Sequence, residues 1–201
     1  MTTGDRAALV LMHGAPGSGK SSWVAGRFAA RDVFSLDALR RLLSGADLEM
    51  DATAPAAAML RTLVEYRMGR RLLTVIDSTH TRAAYRWPLA GLARAAGVPV
   101  VAVGMNTPLE QCQHRNANRG RIVTPAAPYA GANGAEVPPD VVARLHAEAA
   151  ADPPRPGWDA DAVLTACPHG LSYLIGDLPE ALLAEPWLAD AAAACPTRRH
   201  L

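Results

Sequence analysis

The chain has 201 residues, of which 50% are hydrophobic, 5% are aromatic and 19% are charged. This composition excludes a disordered or highly charged chain, and it supplies enough apolar side chains for one buried core. The net charge is only +1, but residues 1–121 hold 16 basic and 9 acidic residues, whereas residues 122–201 hold 4 and 10. A basic amino-terminal part suits an anionic substrate.

The sequence shows no feature of a membrane or secreted protein. No apolar run approaches the roughly 18 residues that a membrane-spanning helix needs, and residues 1–6 lack the pattern of a secretory signal. The three cysteines, Cys112, Cys167 and Cys195, are odd in number and widely spaced, so they do not form a disulfide framework. We therefore expect a cytoplasmic protein with no membrane partner.

Strands and helices are predicted to alternate along the chain. A continuous apolar run at residues 7–12, which ends in glycine-rich sequence, predicts a buried strand, and a helix follows at 20–30. Similar patterns predict strands at 32–35, 72–76, 98–105 and 162–165, and helices at 36–43, 54–68, 83–96, 108–118 and 140–151. This alternation predicts an α/β fold in which helices sandwich a mainly parallel sheet.

Two later stretches differ from this pattern. Residues 120–139 are rich in glycine, proline and alanine, which indicates a mobile loop or lid instead of a domain boundary. With the arginines that precede it, the lid is predicted to span about 115–139. Residues 167–201 are predicted to be a C-terminal helical extension packed on the same domain.

The residues from Gly14 to Ser21 match the pattern G-x-x-x-x-G-K-[ST] in full, between a predicted strand and a predicted helix. Backbone N–H groups of such a loop close around phosphate oxygens, and the helix N-terminus favours anions. Lys20, the only lysine of the chain, is predicted to bridge the β- and γ-phosphates, and the Ser21 hydroxyl to bind Mg²⁺. The predicted ligands are ATP and Mg²⁺, and the predicted binding residues are Gly14, Ala15, Pro16, Gly17, Ser18, Gly19, Lys20, Ser21 and Ser22.

Other sequence features separate the kinds of P-loop protein. A GTPase would carry an Asn/Thr-Lys-x-Asp element, which is absent because the chain has no second lysine. A remodelling ATPase would follow its third strand with Asp-Glu, whereas here Asp77 is followed by Ser78. Activation of water is therefore not indicated, and the pattern favours a kinase.

Asp37 and Arg40 follow the second predicted strand and share one face at the start of a helix. A carboxylate at this place would orient an acceptor hydroxyl and take its proton during phosphoryl transfer. The arginine one turn later would hold an anion on the same acceptor. Alternatively, Asp37 caps the helix and Arg40 is a surface charge.

Arg115 and Arg119 are four residues apart and precede the predicted lid. Arginines at the base of a lid can fold over a triphosphate and neutralise charge as it develops. Alternatively, they form a solvated basic helix end, which the helix dipole favours.

In this order, the motifs resemble the kinase domain of polynucleotide 5′-hydroxyl kinases and their small P-loop relatives. The resemblance covers residues 7–166 and implies a P-loop kinase domain over 1–166. It implies transfer of the ATP γ-phosphate to a hydroxyl, above all a DNA or RNA 5′ end. Asp37 would be the general base, Arg40 the ligand of the phosphate beside the hydroxyl, and Asp77 an acceptor-side residue that orders Arg40. Arg115 and Arg119 would be lid residues on the ATP phosphates.

Two alternatives to a polynucleotide kinase stay open. The relatives include kinases of metabolites and antibiotics, and the scarcity of aromatic residues for base stacking favours such a small-molecule acceptor. The other alternative is a nucleotide-binding switch that performs no phosphotransfer. Asp37 separates this last class from the kinases, because only a kinase of this type needs a base there.

Overall fold

A computed structural model of the protein describes residues 6–44, 50–118, 136–166 and 172–188. In this part of the chain six strands form one sheet, in the spatial order β2-β3-β1-β4-β5-β6. Strands β1 to β5 are parallel, and β6 is antiparallel to β5. The strands are β1 (Leu9–His13), β2 (Val33–Ser35), β3 (Thr74–Asp77), β4 (Val100–Met105), β5 (Ala162–Ala166) and β6 (Tyr173–Gly176).

Helices cover both faces of this sheet, which confirms the predicted α/β fold. The α-helices are α1 (Lys20–Ala25), α2 (Leu36–Ser44), α3 (Thr53–Gly69), α4 (Ala83–Ala95), α5 (Leu109–Ala117), α6 (Pro139–Ala151) and α7 (Glu180–Leu183). Short 3-10 helices precede β2 at Ala30–Asp32 and α3 at Met50–Ala52. Within the described residues, no helix is long and apolar enough to cross a membrane.

The central strand β1 divides the core into two layers. Val10 and Met12 pack in the cluster that includes side chains of α1 and α7, whereas Leu9 and Leu11 pack in the cluster that includes side chains of α3 and α4. Successive side chains of a strand point to opposite faces, so a run of apolar residues serves both layers at once. This explains why the strand is apolar throughout.

Three predictions about the elements need correction or qualification. The first helix ends at Ala25 instead of residue 30, because Gly26 ends it and the chain then turns to bury Phe28 in the core. The predicted helical extension contains a strand, since β6 lies within it and pairs with β5, so β5 is not the last strand. Residues 119–135, most of the predicted lid, lie outside the described residues.

A buried ion pair joins α4 to the segment that leads into β5. Arg86 and Asp159 have fully buried side chains, and the Nε of Arg86 donates to the Asp159 carboxylate at 2.7 Å. The carbonyl oxygens of His80 and Asp152 accept from the same guanidinium at 2.7 and 3.1 Å. A charge removed from water needs such a full set of partners.

We expect Arg86→Met to lower the free energy of unfolding by about 3–5 kcal/mol, because it leaves the Asp159 carboxylate buried without its cation. The matched control is Arg94→Met on the same helix, whose Asp161 partner is partly exposed. That control should cost about 1 kcal/mol or less. Urea unfolding of both variants gives the two values. Equal losses would contradict a structural role for the buried pair.

Candidate functional site

The phosphate-binding loop connects the end of β1 to the start of α1, as the sequence predicts. Gly14, Gly17 and Gly19 have φ angles of 140°, 78° and 98°. These are left-handed conformations that side chains disfavour, so the three glycines of the motif serve the path of the backbone. The loop also lies at the carboxyl edge of the parallel strands, where ligands bind in open α/β sheets.

The loop packs so closely that two of these glycines also lack room for a side chain. A Cβ at Gly17 would overlap the carbonyl oxygen of Cys112, which belongs to α5. A Cβ at Gly14 would lie 3.0 Å from the Ser18 hydroxyl and 3.2 Å from the Cβ of Met105. Helix α5 is therefore pressed against the loop and defines its shape.

The ammonium group of Lys20 lies inside the loop. Its Nζ donates to the carbonyl oxygens of Gly14 and Ala15 at 2.9 and 2.8 Å, and the residue is only 8% exposed. The next residues, Ser21 and Ser22, are exposed at the start of α1. Mg²⁺ prefers oxygen ligands and keeps several waters, so the accessible hydroxyl of Ser21 fits the predicted metal ligand.

Two side chains beyond β4 hold the loop from the side of α5. The Thr107 hydroxyl donates to the Ser18 carbonyl oxygen at 2.8 Å, and the Nη1 of Arg115 lies 3.5 Å from the same oxygen. Arg115 thus lies beside the phosphate-binding loop. Arg119, its predicted companion, lies outside the described residues.

The residues that the sequence analysis predicts for the acceptor side, Asp37, Arg40 and Asp77, follow β2 and β3, which are neighbours in the sheet. Ser35 and Asp77 are register partners at the ends of these strands, and Asp77 is buried. The Ser35 hydroxyl accepts a hydrogen bond from the Ala38 N–H at 3.4 Å, so Ser35 caps α2. The alternative in which Asp37 caps this helix is therefore wrong.

Asp37 and Arg40 form an ion pair on one face of α2. The Asp37 side chain is 59% exposed, whereas that of Arg40 is only 14% exposed and lies near the Thr53 hydroxyl. Arg40 is therefore not a surface charge. Its Nε is buried and has no hydrogen-bond partner within the described part of the chain. The pair presents an accessible carboxylate beside a largely buried guanidinium.

The sequence did not indicate three further polar residues around the loop, His13, His80 and Arg86. His80 follows β3, and burial lowers the pKa of its imidazole to about 4, so the ring is neutral near pH 7. Burial also lowers the pKa of His13, the last residue of β1. The available signal was weak: Arg86 stands in a helix whose core positions are otherwise apolar, and its partner is 73 residues away.

Comparison with protein families gives a match over residues 9–149, more than two thirds of the chain, to the AAA_33 family, which is described as an AAA domain. The chain belongs to this family. The match includes the phosphate-binding loop, the acceptor-side residues and Arg115. As a member of the AAA_33 family the protein shares its P-loop fold, and Ser78 still stands where a remodelling ATPase would have glutamate.

Individual proteins match this chain either over a shorter stretch or at low sequence identity. A Kti12 homolog from Oryza sativa subsp. indica is 29% identical over 121 residues, which are 56% of this chain and 40% of the relative. The match thus spans about two fifths of the curated relative. The structure of Chaetomium thermophilum Kti12 with ADP-AlF3 has a TM-score of 0.55 at 18% identity, and covers 89% of this chain and 95% of that one.

Two other solved structures share the fold at similar distance. A putative kinase from Chloroflexus aurantiacus has a TM-score of 0.56 at 17% identity, and covers 81% of this chain and 88% of that chain. A chain of the Pnkp1/Rnl/Hen1 RNA repair complex has a TM-score of 0.55 at 17% identity, and covers 72% of this chain and 44% of that one. The fold is therefore that of P-loop kinase-like proteins.

We expect Gly17→Ala to weaken nucleotide binding by about tenfold or more, because the overlap with Cys112 must displace a loop that needs positions accurate to about 1 Å. The matched control is Gly26→Ala, since a Cβ there meets nothing within 4 Å. Titration of each folded variant with Mg·ADP measures the affinities. A native affinity for Gly17→Ala would contradict the assignment of this loop as the nucleotide site.

Proposed function

We propose that the protein is an ATP-dependent kinase that transfers the γ-phosphate to an acceptor hydroxyl, with the 5′-hydroxyl end of a polynucleotide as the preferred acceptor. The observation that carries this proposal is the Asp37–Arg40 pair on α2, at the same edge of the sheet as the phosphate-binding loop. Its carboxylate is exposed and its guanidinium is not, and neither serves as a helix cap. Such a pair suits a substrate that brings both a hydroxyl and an anion.

The donor side of the reaction uses the phosphate-binding loop. Lys20 would exchange the loop carbonyls for the β- and γ-phosphate oxygens, and the helix dipole of α1 would add to the attraction. Ser21 would hold Mg²⁺, which supplies charge neutralisation on the phosphates when bound. Arg115, and Arg119 in the predicted lid, would neutralise the charge that develops on the transferred group.

The acceptor side uses the pair on α2. Asp37 would accept the proton of the attacking hydroxyl. The hydroxyl oxygen would form a bond to the γ-phosphorus while the bond from that phosphorus to ADP breaks and ADP leaves. A phosphate next to that hydroxyl would compete with Asp37 for the Arg40 guanidinium, whose planar fork pairs well with two oxygens of one phosphate. An anionic acceptor would therefore free the carboxylate for its role as base. The terminal nucleotide of a polynucleotide carries such an anion as its 3′-phosphate.

The comparisons support the kinase-like part of this proposal through the fold alone. The neighbours include a protein described as a putative kinase and a chain of an RNA repair complex. A small-molecule hydroxyl kinase would bind ATP in the same way. It would differ in the group of the acceptor that Arg40 contacts. A nucleotide-binding switch, the other alternative, would have no use for Asp37 as a base.

We expect Asp37→Asn to lower the transfer rate by a factor of about 10² or more with every acceptor, as for the loss of a general base. Arg40→Ala should weaken the binding of 3′-phosphorylated acceptors by about 1.5–3 kcal/mol, the value of a charged hydrogen bond. The assay compares oligonucleotides, nucleoside 3′-phosphates and plain nucleosides with labelled Mg·ATP. The native enzyme should prefer acceptors with a 3′-phosphate, and Arg40→Ala should abolish that preference.

Two exposed residues of α3 provide the controls. Glu65→Gln removes a negative charge, as Asp37→Asn does, and Arg61→Ala removes a positive charge, as Arg40→Ala does, but neither residue belongs to the pair. Both should transfer phosphate at the native rate. Indifference of the native enzyme to the 3′-phosphate would overturn the polynucleotide acceptor and favour a neutral small molecule. Full activity of Asp37→Asn would overturn the kinase mechanism itself.

A further inference from the structure

The turn that follows β3 is tied to the phosphate-binding loop beyond the point where their strands stop pairing. The parallel ladder between β1 and β3 ends at Leu11 and Ile76. Past that point the Gly14 N–H donates to the Thr79 carbonyl oxygen at 3.0 Å. The connection therefore continues from the sheet to the first residue of the loop.

His80 ties the same turn to the end of β1 through its side chain and to α4 through its backbone. Its Nδ1–H donates to the Met12 carbonyl oxygen at 2.9 Å. Its own carbonyl oxygen accepts from Arg86 at 2.7 Å and lies 3.0 Å from the Nδ1 of His13. Because the buried Asp159 carboxylate holds the Arg86 guanidinium, the group that binds the His80 carbonyl oxygen is itself held in place.

The backbone of His80 is in an unusual conformation. Its φ angle is 38°, in the left-handed region that costs a residue with a side chain free energy and persists only where surrounding contacts enforce it. The enforcing contacts are the buried bonds to Met12 and Arg86. Strain of this kind, three residues after Asp77, indicates that the position of the turn matters.

The phosphate-binding loop has further contacts that hold its shape from another side. On the opposite side it is held by the Thr107 hydroxyl on the Ser18 carbonyl and by the close packing of Gly17 on Cys112. Loss of the His80 bonds would therefore release the turn after β3 more than the loop. The acceptor side would lose its fixed position relative to the nucleotide.

We propose that His80 is a positioning residue. Its side-chain bond to Met12 at the end of β1 and its backbone bond to Arg86 of α4 hold the Asp77 turn beside the phosphate-binding loop and so set the acceptor side against the γ-phosphate. This inference rests on the proposed kinase function for its effect on transfer. It makes no use of His80 as an acid or a base. The residue acts through the turn, so its loss should lower kcat and spare the affinity for nucleotide.

Two substitutions at this position separate the side-chain bond from the backbone conformation. His80→Gly accepts the left-handed backbone and removes the donor to Met12, whereas His80→Asn tolerates the backbone and keeps an N–H at the place of Nδ1. Leu182→Ala removes a buried side chain from α7 and serves as the control for lost stability alone.

The measurements are hydrogen exchange of the Gly14 amide by NMR, together with kcat and the KM for ATP. His80→Gly should raise the Gly14 exchange rate and lower kcat, each by about tenfold or more, with KM changed less than about threefold. His80→Asn should restore both values toward native. Leu182→Ala should change neither at a temperature where it is folded.

Native exchange of the Gly14 amide in His80→Gly, or a native kcat despite faster exchange, would overturn the positioning role. Equal damage in His80→Asn and His80→Gly would do the same, because the retained donor would then have no effect. If the native protein phosphorylates no acceptor, the proposed function fails. The exchange of Gly14 then decides by itself whether His80 locks the turn.

Discussion

The whole site depends on how tightly the phosphate-binding loop is enclosed. Gly17 lies so close to the Cys112 carbonyl that only hydrogen fits between them. This contact fixes the distance between the loop and α5, and α5 in turn carries Arg115 to the edge of the loop. Where backbone packs directly on backbone, a substitution cannot be absorbed by a change of rotamer. The position of Arg115 beside the loop therefore depends on this contact.

On its other side the loop contacts the turn that follows β3, on the side that we propose for the acceptor. The order of the strands places β3 beside β1 and β2 beside β3, so Asp77 and the Asp37–Arg40 pair belong to the same edge as the loop. In the proposed mechanism the acceptor is therefore bound by elements other than those that bind the nucleotide. Transfer between two such sites requires that their separation be fixed, and this is the role that we propose for the buried bonds of His80 to Met12 and Arg86.

The parts of this site that local sequence could predict are those that local geometry determines. The motif from Gly14 to Ser21 specifies a loop between a strand and a helix, and the three-residue spacing of Asp37 and Arg40 places both on one helical face. Arg115 was likewise expected near the phosphates, and its side chain lies beside the loop. In each case the position of the residue follows from near neighbours in the sequence or from a known succession of strand and helix.

Long-range pairs were not predictable in the same way. Arg86 finds Asp159, and His80 finds Met12, only after the sheet has formed, and no spacing in the sequence records these contacts. The cap of α2 was also missed, because Ser35 and Asp37 both suit that role and only the backbone decides between them. Strand β6 was missed as well. It pairs only at the edge of the sheet, and Leu174 is the one buried residue of its four, so it lacks the buried apolar run that marks the central strands.

The fate of the γ-phosphate tests the proposed kinase function most directly. Native protein is incubated with γ-labelled Mg·ATP and an oligonucleotide that carries a 5′-hydroxyl, and the label is separated into oligonucleotide, free phosphate and unreacted ATP. We expect the label to appear covalently on the 5′ end and little free phosphate to form. Label released only as free phosphate, whatever acceptor is offered, would contradict a kinase and indicate an ATPase or a nucleotide-dependent switch.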